Sequence, residues 1–114
     1  TAQCVHTRAE DAGQNPLYRA KFHVVTTRAV ASLPVLIELT IPLLKTNGIS
    51  IAYKGAAQEE LLQSKSALHL LHAQAQTLDV PAPYGKRSLV VIKKLAPTPK
   101  QYPRRAGVPE KKPL

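Results

Sequence analysis

The chain has 114 residues, of which 44% are hydrophobic, which is enough for one small domain or for part of a larger one. Its single cysteine, Cys4, excludes a disulfide framework and a thiolate metal cage and favours a reducing compartment. No apolar run approaches the roughly 20 residues of a membrane-spanning helix, and no signal peptide is visible. These features predict a cytoplasmic globular protein, and a first residue other than Met suggests that residues are missing upstream.

The positive charge of the chain is concentrated at its C-terminal end. The formal net charge is +9, and residues 1–85 hold seven Lys/Arg against six Asp/Glu, whereas residues 86–114 hold nine against one. A basic end of this kind suits a polyanion such as RNA or an anionic membrane surface. No amphipathic basic helix supports the membrane alternative.

The first quarter of the sequence predicts two strands separated by a loop. Residues 2–6 have a weak strand pattern, and residues 12–20, which contain Gly, Asn and Pro, predict a broken helix or a loop. Residues 22–26, Phe-His-Val-Val-Thr, do not alternate between polar and apolar positions. That pattern is typical of a strand covered on both faces, as in parallel sheets.

The middle of the chain predicts two helices around a further strand. Ser32 is a suitable N-cap for a largely buried helix, which Pro42 should kink or bring to the end of its regular part. Asn47-Gly48 is the predicted stop signal of that helix. Residues 49–53 predict a strand, and residues 58–73 predict a helix with a stripe of leucines on its buried face.

The last third predicts a hairpin and a tail. Residues 76–80 and 88–92 are two strand patterns joined by a loop without a helix, so they should pair antiparallel. Residues 95–114 contain five of the ten prolines and no periodicity, which predicts an extended tail. The predicted fold class is therefore α/β, with parallel strands and a terminal antiparallel hairpin in residues 1–94 and an extended basic tail in residues 95–114.

Polar clusters follow each of the three strands predicted to be parallel. They are Thr-Arg-Ala-Glu at residues 7–10, Thr-Thr-Arg at residues 26–28 and Tyr-Lys-Gly at residues 53–55. If the strands are neighbours, the clusters meet in the crevice at the carboxyl edge of the sheet, where ligands bind in open parallel sheets. A carboxylate there suits a ribose hydroxyl or an adenine amine, and an arginine suits a carboxylate or phosphate. The alternative is that these are ordinary solvated loop charges.

The remaining polar residues indicate no reaction. His69 and His72 lie at i, i+3 on a predicted helix, but no third ligand completes a metal site, so we predict no metal. No Ser-His-Asp arrangement and no glycine-rich phosphate loop is recognisable. In the tail, Tyr102 beside Arg104 and Arg105 fits an RNA contact in which the ring stacks on a base and the guanidinium groups follow the backbone. The alternative for the tail is a solubilising, disordered end.

Several segments of the sequence, in order, resemble the C-terminal half of the ribosomal RNA small subunit methyltransferase G family, also called glucose-inhibited division protein B. The resemblance covers nearly the whole chain. The segments that carry it are Thr7-Arg-Ala-Glu10, Thr27-Arg-Ala-Val-Ala31, Leu33-Pro-Val-Leu-Ile-Glu-Leu39, Tyr53-Lys-Gly55, Leu89-Val-Val-Ile-Lys-Lys94 and the tail from Pro97 to Leu114.

The resemblance implies a class I, Rossmann-like methyltransferase that moves a methyl group from S-adenosylmethionine to N7 of a guanosine in 16S rRNA. By this resemblance, Ala9 and Glu10 contact the adenosine part of the cofactor, and Arg28 lines the cofactor and substrate pocket. Lys54 and Arg87 match basic family positions near the RNA. The implied partner is 16S rRNA or the small ribosomal subunit, and we expect a monomer.

Two features depart from the family pattern. The glycine-rich cofactor loop of the family lies upstream of residue 1, and Ser88 stands where the family often has His. We therefore expect a fragment that neither binds the cofactor tightly nor turns over alone, since half of the pocket and half of the core are absent. The alternative function is a non-enzymatic, basic RNA-binding or ribosome-associated protein.

Overall fold

A computed structural model describes most of the chain, namely residues 4–28, 31–54, 58–82 and 85–114. The described elements, in chain order, are α1 (Ala9–Gln14), β1 (Phe22–Arg28), α2 (Leu33–Thr40), a 3-10 turn (Ile41–Leu43), β2 (Leu44–Lys54), α3 (Gln58–Gln63), α4 (Lys65–Leu70), β3 (Ala73–Ala82), β4 (Gly85–Lys94) and α5 (Val108–Lys111).

The four described strands form one sheet in the order β1-β2-β4-β3. β1 and β2 are parallel, and β4 is antiparallel to both of its neighbours, β2 and β3. The predicted α/β class, with a parallel part and a terminal antiparallel hairpin, is confirmed. The arrangement is consistent with part of the Rossmann-like sheet that the resemblance implies.

The buried helix α2 is shorter than the sequence predicted. Pro34 lies in its first turn, where the missing N–H breaks no hydrogen bond. Pro42 cannot continue the helix, so the chain tightens into the 3-10 turn, and β2 begins at Leu44. Asn47-Gly48 therefore does not end a helix. It lies inside β2, beside a shift in the pairing with β1, with Asn47 at φ 72°.

Two other helical predictions needed correction at their boundaries. The helix predicted for residues 58–73 is divided at Ser64, whose hydroxyl donates to the backbone carbonyl of Glu60 at 2.6 Å. It ends at Leu70, and the chain turns through His72, at φ 54°, into β3. In the region predicted as a broken helix or loop, α1 occupies Ala9–Gln14 and a turn follows.

The strand predicted for residues 2–6 was wrong over its described part. Residues 4–6 have no strand conformation and are exposed, and residues 2 and 3 lie outside the described residues. A strand is stable only when its backbone groups are paired. In the described sheet, this segment has no strand to pair with. It therefore brings no strand end to the edge where β1 and β2 finish.

The core lies between one face of the sheet and the helices α2 and α4. Its buried members come from both helices, from β2 and β4, and from the tail. They are Leu33, Leu36, Ile37, Ile41, Leu44, Ala52, Ala67, Leu71, Val90, Ile92 and Tyr102. The opposite face of the sheet is largely exposed. β1 in particular is exposed at five of its seven positions, so the prediction of a strand covered on both faces was wrong in this structure.

The tail is not extended over the solvent. It folds back on the domain, buries Tyr102, Pro103 and Pro109, and ends in the short helix α5. Apart from α5, the tail has no regular secondary structure, but it packs on the domain and does not stand free in solvent. The physical reason is that the tail supplies an aromatic ring to the core and backbone carbonyls to side chains of the domain, and these contacts offset the cost of ordering it.

Candidate functional site

The carboxyl ends of the parallel strands β1 and β2 form the first part of the candidate site. Arg28, the last residue of β1, is in register with Tyr53 of β2, and both side chains are exposed. Lys54 follows Tyr53 and pairs with Ser88 of β4. Arg87 pairs with Val80, one step further toward the same edge. The structure therefore brings the backbone positions of Arg28, Lys54 and Arg87 together, as the sequence predicted for the first two.

Thr27 adds a polar atom beside Arg28. Its hydroxyl oxygen is buried and has no hydrogen-bond partner in the structure. A buried hydroxyl without a partner is unfavourable, because water has been removed and nothing replaces it. Side chains alternate between the two faces of a strand, so Thr27 and Arg28 present polar groups on opposite faces of the same strand end.

Glu10 lies on α1 and is held by the tail. Its Oε2 accepts hydrogen bonds from Arg8 Nη2 at 3.1 Å and from the backbone N–H of Gly107 at 2.8 Å. Burial raises the pKa of the Glu10 carboxyl, but the hydrogen bonds from Gly107, from its own backbone N–H and from Arg8 outweigh burial, and the pKa lies below its ordinary value. Glu10 is therefore an ionised, nearly buried carboxylate at pH 7.

Glu10 and Arg28 were predicted to meet in one crevice. Among the described residues, no hydrogen bond or ion pair joins Glu10 or Arg8 to Arg28. The reason is that the strand expected to carry residues 7–10 to the sheet edge does not form, and α1 packs instead on α2 and the 3-10 turn. Ala9 begins α1 and is half-buried.

The three tail residues predicted to contact RNA, Tyr102, Arg104 and Arg105, differ in how far their side chains are exposed to solvent. The Tyr102 ring is 8% exposed and belongs to the core, so it has no open face on which a base could stack. Arg104 is paired with the fully buried Glu38: its Nη2 lies 2.8 Å from Oε1, and its Nε and backbone N–H donate to Oε2 at 3.0 and 2.8 Å. Arg105 is exposed. Tyr102 and Arg104 thus hold the tail, and Arg105 alone is on the open surface.

Arg19 and Gln14, which the sequence analysis missed, attach the tail to the segment around α1. The Arg19 guanidinium donates to four carbonyl oxygens, those of Gly13, Thr98, Pro99 and Tyr102, at 2.6–3.1 Å. Gln14 Nε2 donates to the carbonyls of Lys100 and Pro103. Three of the Arg19 acceptors are 79 to 83 residues away in sequence. No local pattern could have revealed this role.

Lys94 is a buried cation without a carboxylate partner among the described contacts. Its side chain is 2% exposed, and its ammonium donates to the carbonyl of Leu44 at 2.6 Å. Burial, together with a smaller effect of the nearby positive charge of Arg19, lowers the pKa of Lys94 to about 8. It therefore fastens the end of β4 to the start of β2.

Two features are absent from the described residues, a metal-binding cluster and a membrane-spanning helix. The described ranges contain no group of three or more His, Cys, Asp or Glu side chains placed to hold a metal ion. Within the same ranges, none of the helices combines the length and the apolar character needed to span a membrane.

Comparison with known proteins gives the family. The profile of the GidB family, described as rRNA small subunit methyltransferase G, matches residues 1–90. Curated proteins of that name are similar over almost the whole chain: the chain is 47% identical to the one from Desulfitobacterium hafniense over 116 residues, 98% of this chain and 48% of the relative. It is 50% identical to the one from Streptococcus agalactiae over 112 residues, 96% of this chain and 47% of the relative.

A third relative, from Lactobacillus johnsonii, is 48% identical over 114 residues, 96% of this chain and 48% of the relative. The chain thus spans about half the length of the curated relatives that it matches. The profile match covers most of the chain, including the strand that ends at Arg28 and the first part of the β3–β4 hairpin up to residue 90. The chain belongs to the rRNA small subunit methyltransferase G family.

Proposed function

We propose that the chain supplies half of a cytoplasmic S-adenosylmethionine-dependent methyltransferase that methylates N7 of a guanosine in 16S rRNA. The observation that carries the proposal is the exposed Arg28 at the carboxyl edge of a parallel strand pair, in a chain of this family. In open parallel sheets, this edge is where ligands bind. The relatives carry the words ribosomal RNA small subunit in their names, which supports small-subunit rRNA as the substrate class.

The described residues fit S-adenosylmethionine in part. The cofactor carries a carboxylate, a ribose diol and an adenine, and it supplies a methyl group activated on a sulfonium. An exposed guanidinium such as Arg28 can hold a carboxylate or a phosphate through two hydrogen bonds. Both hydrogen bonds that Glu10 accepts from other residues go to Oε2, so its Oε1 is the atom that we assign to a ribose hydroxyl or to the adenine amine, beside Ala9.

The proposed reaction requires little acid–base catalysis by the protein. Guanine N7 has an unprotonated lone pair, so no side chain needs to remove a proton before the methyl group is transferred. The main task is to align the two reactants, an effect worth up to roughly 7–11 kcal/mol. Arg28 would anchor an anionic group of cofactor or RNA, and Lys54, Arg87 and Arg105 would neutralise RNA phosphates around the same region. We propose that the active unit is a monomer.

The test is a chimera in which this chain replaces the matched segment of the Desulfitobacterium hafniense relative. We expect it to transfer labelled methyl groups to small-subunit rRNA, and we expect Arg28→Ala to lower the rate at least tenfold, the size of effect that loss of one anchoring charge produces. Lys65→Ala, which removes an exposed charge on α4, is the control and should leave the rate unchanged. Equal rates for the Arg28 and Lys65 variants would refute the role of Arg28.

Binding experiments on the isolated chain distinguish the methyltransferase from the alternative, a non-enzymatic RNA-binding protein. In calorimetry we expect no tight, stoichiometric binding of S-adenosylmethionine to the 114-residue chain. If the chimera is folded but inactive while the chain alone binds a 16S rRNA fragment tightly, the non-enzymatic RNA-binding function is the correct one.

A further inference from the structure

The backbone N–H of Gly107, in the tail, is the shorter of the two hydrogen bonds that other residues donate to the Glu10 carboxylate. It reaches Oε2 at 2.8 Å across 97 residues of sequence, and Arg8 reaches the same oxygen at 3.1 Å. The Arg8 side chain is 57% exposed, so water competes with this ion pair, whereas Glu10 is only 5% exposed. The tail backbone is therefore the firmer of the two attachments of Oε2.

The direction of the Gly107 N–H is set by a tight turn over residues 105–108. The turn is closed by the N–H of Val108, which donates to the carbonyl of Arg105 at 3.1 Å. Gly107, its third residue, has φ 88° and ψ −24°, the values of a type II turn. Relative to a type I turn, the central peptide of a type II turn is turned over by about 150–170°. That peptide carries the Gly107 N–H, so a type I turn would direct the carbonyl of Ala106 toward Glu10 instead.

Glycine is needed at position 107 because of the backbone and not because of space. A Cβ built on Gly107 would meet no atom of the described residues within 4 Å. A positive φ, however, is unfavourable for residues with a Cβ, least for Asn and most for β-branched residues. A valine at this position therefore favours the type I turn, which exchanges a donor for an oxygen that faces the carboxylate.

Both ends of the segment that contains the turn are held by Arg104. Its backbone N–H and its side chain donate to the buried Glu38 on α2, and its Nη2 also donates to the carbonyl of Lys112 at 2.5 Å. The turn lies between these two attachments. The Gly107 N–H is therefore presented to Glu10 from a fixed segment of the tail.

From these contacts we propose that Gly107 is a positioning residue for Glu10: its N–H holds Oε2, so that Oε1 stays directed to the adenosine part of S-adenosylmethionine. The inference rests on the cofactor role proposed for Glu10 above. A glutamate side chain that is fixed before the cofactor arrives loses little rotamer freedom on binding, which favours affinity. The tail turn thus controls how tightly the domain binds its cofactor, in addition to any contact of the tail with RNA.

The test is calorimetry of S-adenosylmethionine binding to the chimera described above. Gly107→Val should raise the Kd at least about tenfold, the size of effect that loss of a hydrogen bond to a charged group produces. Gly107→Asn should raise it less than about threefold, because Asn tolerates a positive φ. Ala106→Val places the same side chain on the exposed neighbouring residue and is the matched control, with an unchanged Kd.

A double-mutant cycle separates positioning of Glu10 from a general structural effect. Glu10→Ala should itself weaken cofactor binding, and adding Gly107→Val to it should change the Kd less than about twofold, because Gly107 acts only through Glu10. Melting temperatures establish that folded proteins are compared, and Gly107→Ala, which adds one methyl group in open space, should lie between the Asn and Val variants. A parent-like Kd for Gly107→Val, or an undiminished effect of it in the Glu10→Ala background, would overturn the inference.

The ionisation of Glu10 gives a readout that needs no cofactor. Burial raises the pKa of the Glu10 carboxyl, but the hydrogen bond from Gly107 leads the effects that hold it below the ordinary value of 4.5. Titration of the cofactor-free chimera by carbon NMR should therefore show a higher pKa for Glu10 in Gly107→Val than in the parent and in Ala106→Val. The other charged groups near Arg8, Asp11 on α1 and Glu110 on α5, are the same in every variant.

The outcomes also separate this inference from the proposed function. A raised pKa of Glu10 in Gly107→Val with an unchanged Kd, while Glu10→Ala weakens binding, would overturn the inference alone. A Glu10→Ala variant with the parent Kd would refute the cofactor role of Glu10 and the inference with it. A chimera that shows the expected changes in Kd but transfers no methyl group would support the inference and count only against the proposed reaction.

Discussion

The contact between Arg104 and Glu38 should be the strongest single attachment of the tail. Arg104→Ala removes a guanidinium that gives Glu38 its ion pair and side-chain hydrogen bonds, and leaves only the backbone N–H of residue 104 at the carboxylate. Glu38 is 0% exposed on α2, so the charge that remains cannot be solvated in place. We therefore expect the tail to detach locally, the carboxylate to become accessible to water, and the chain to lose stability.

The expected size follows from the asymmetry of buried ion pairs. Removing one partner of such a pair costs about 3–5 kcal/mol, whereas replacing both partners by apolar residues of similar volume is roughly neutral. Arg104 is itself a quarter exposed and one hydrogen bond to Glu38 survives, so we expect the lower end, about 3 kcal/mol, for Arg104→Ala. The double variant Glu38→Met with Arg104→Met should lie within about 1 kcal/mol of the parent chain.

The assay is urea unfolding followed by circular dichroism, combined with limited trypsin digestion of the tail. Cleavage after Lys100 and Arg105 should accelerate in Arg104→Ala and return toward the parent rate in the double variant. Lys111→Ala, at an exposed side chain of the tail that is not one of the two measured cleavage sites, controls for loss of positive charge alone. A loss of less than about 1 kcal/mol in Arg104→Ala, or a double variant as unstable as the sum of the single ones, would refute the reasoning.

Two further predictions concern the same packing. A change from Gly to Ala usually stabilises a helix interior by roughly 0.5–1 kcal/mol. At Gly13, however, the added Cβ would lie 2.7 Å from Cγ of Pro103, so we expect Gly13→Ala to lower the urea midpoint and to accelerate trypsin cleavage of the tail. A raised midpoint would show that Pro103 and the tail can move away from the new methyl group. The pKa of Lys94 is about 8 in the folded chain, against an ordinary value of 10.5. Between these two pH values the folded chain binds fewer protons than the unfolded chain, so the free energy of unfolding should rise with pH. The expected rise is about 3 kcal/mol, at roughly 1.4 kcal/mol per pKa unit. Lys94→Met should abolish that rise in urea midpoints measured from about pH 8 to about pH 10.5, and an unchanged rise would mean that another group is responsible.

Local sequence patterns predicted the sheet better than the boundaries of the helices. The hairpin was predictable because two strand patterns with a loop too short for a helix can only pair antiparallel, and β3 and β4 do so from Ala73–Lys94 to Ala82–Gly85. The length of α2 was not predictable in the same way. Leu43 and Leu44 fit the apolar stripe of a helix as well as they fit a strand. The strand forms because Leu44 pairs with Phe22 of β1, a tertiary contact that the local sequence does not reveal.

The candidate site was predictable only where it depends on strand order. Arg28 and Lys54 follow neighbouring strands, so the edge rule placed them correctly. Glu10 was expected at the same edge because residues 2–6 were predicted as a neighbouring strand. A strand needs a partner as well as a sequence pattern, and in this chain the described part of that segment has none.

The tail shows why a charge count overstates what an RNA can contact. Residues 86–114 hold nine basic residues, but Lys94 is buried against the Leu44 carbonyl and Arg104 is paired with Glu38. The basic side chains of this region that the structure describes as exposed are Lys93, Lys100, Arg105, Lys111 and Lys112. A phosphate contact requires a cation that can reach the phosphate and is not already compensated inside the protein, because the affinity comes from neutralising the phosphate and releasing its condensed counterions. The tail is therefore first a structural segment that packs on α1 and α2, and only its exposed basic side chains are available to the proposed RNA contact.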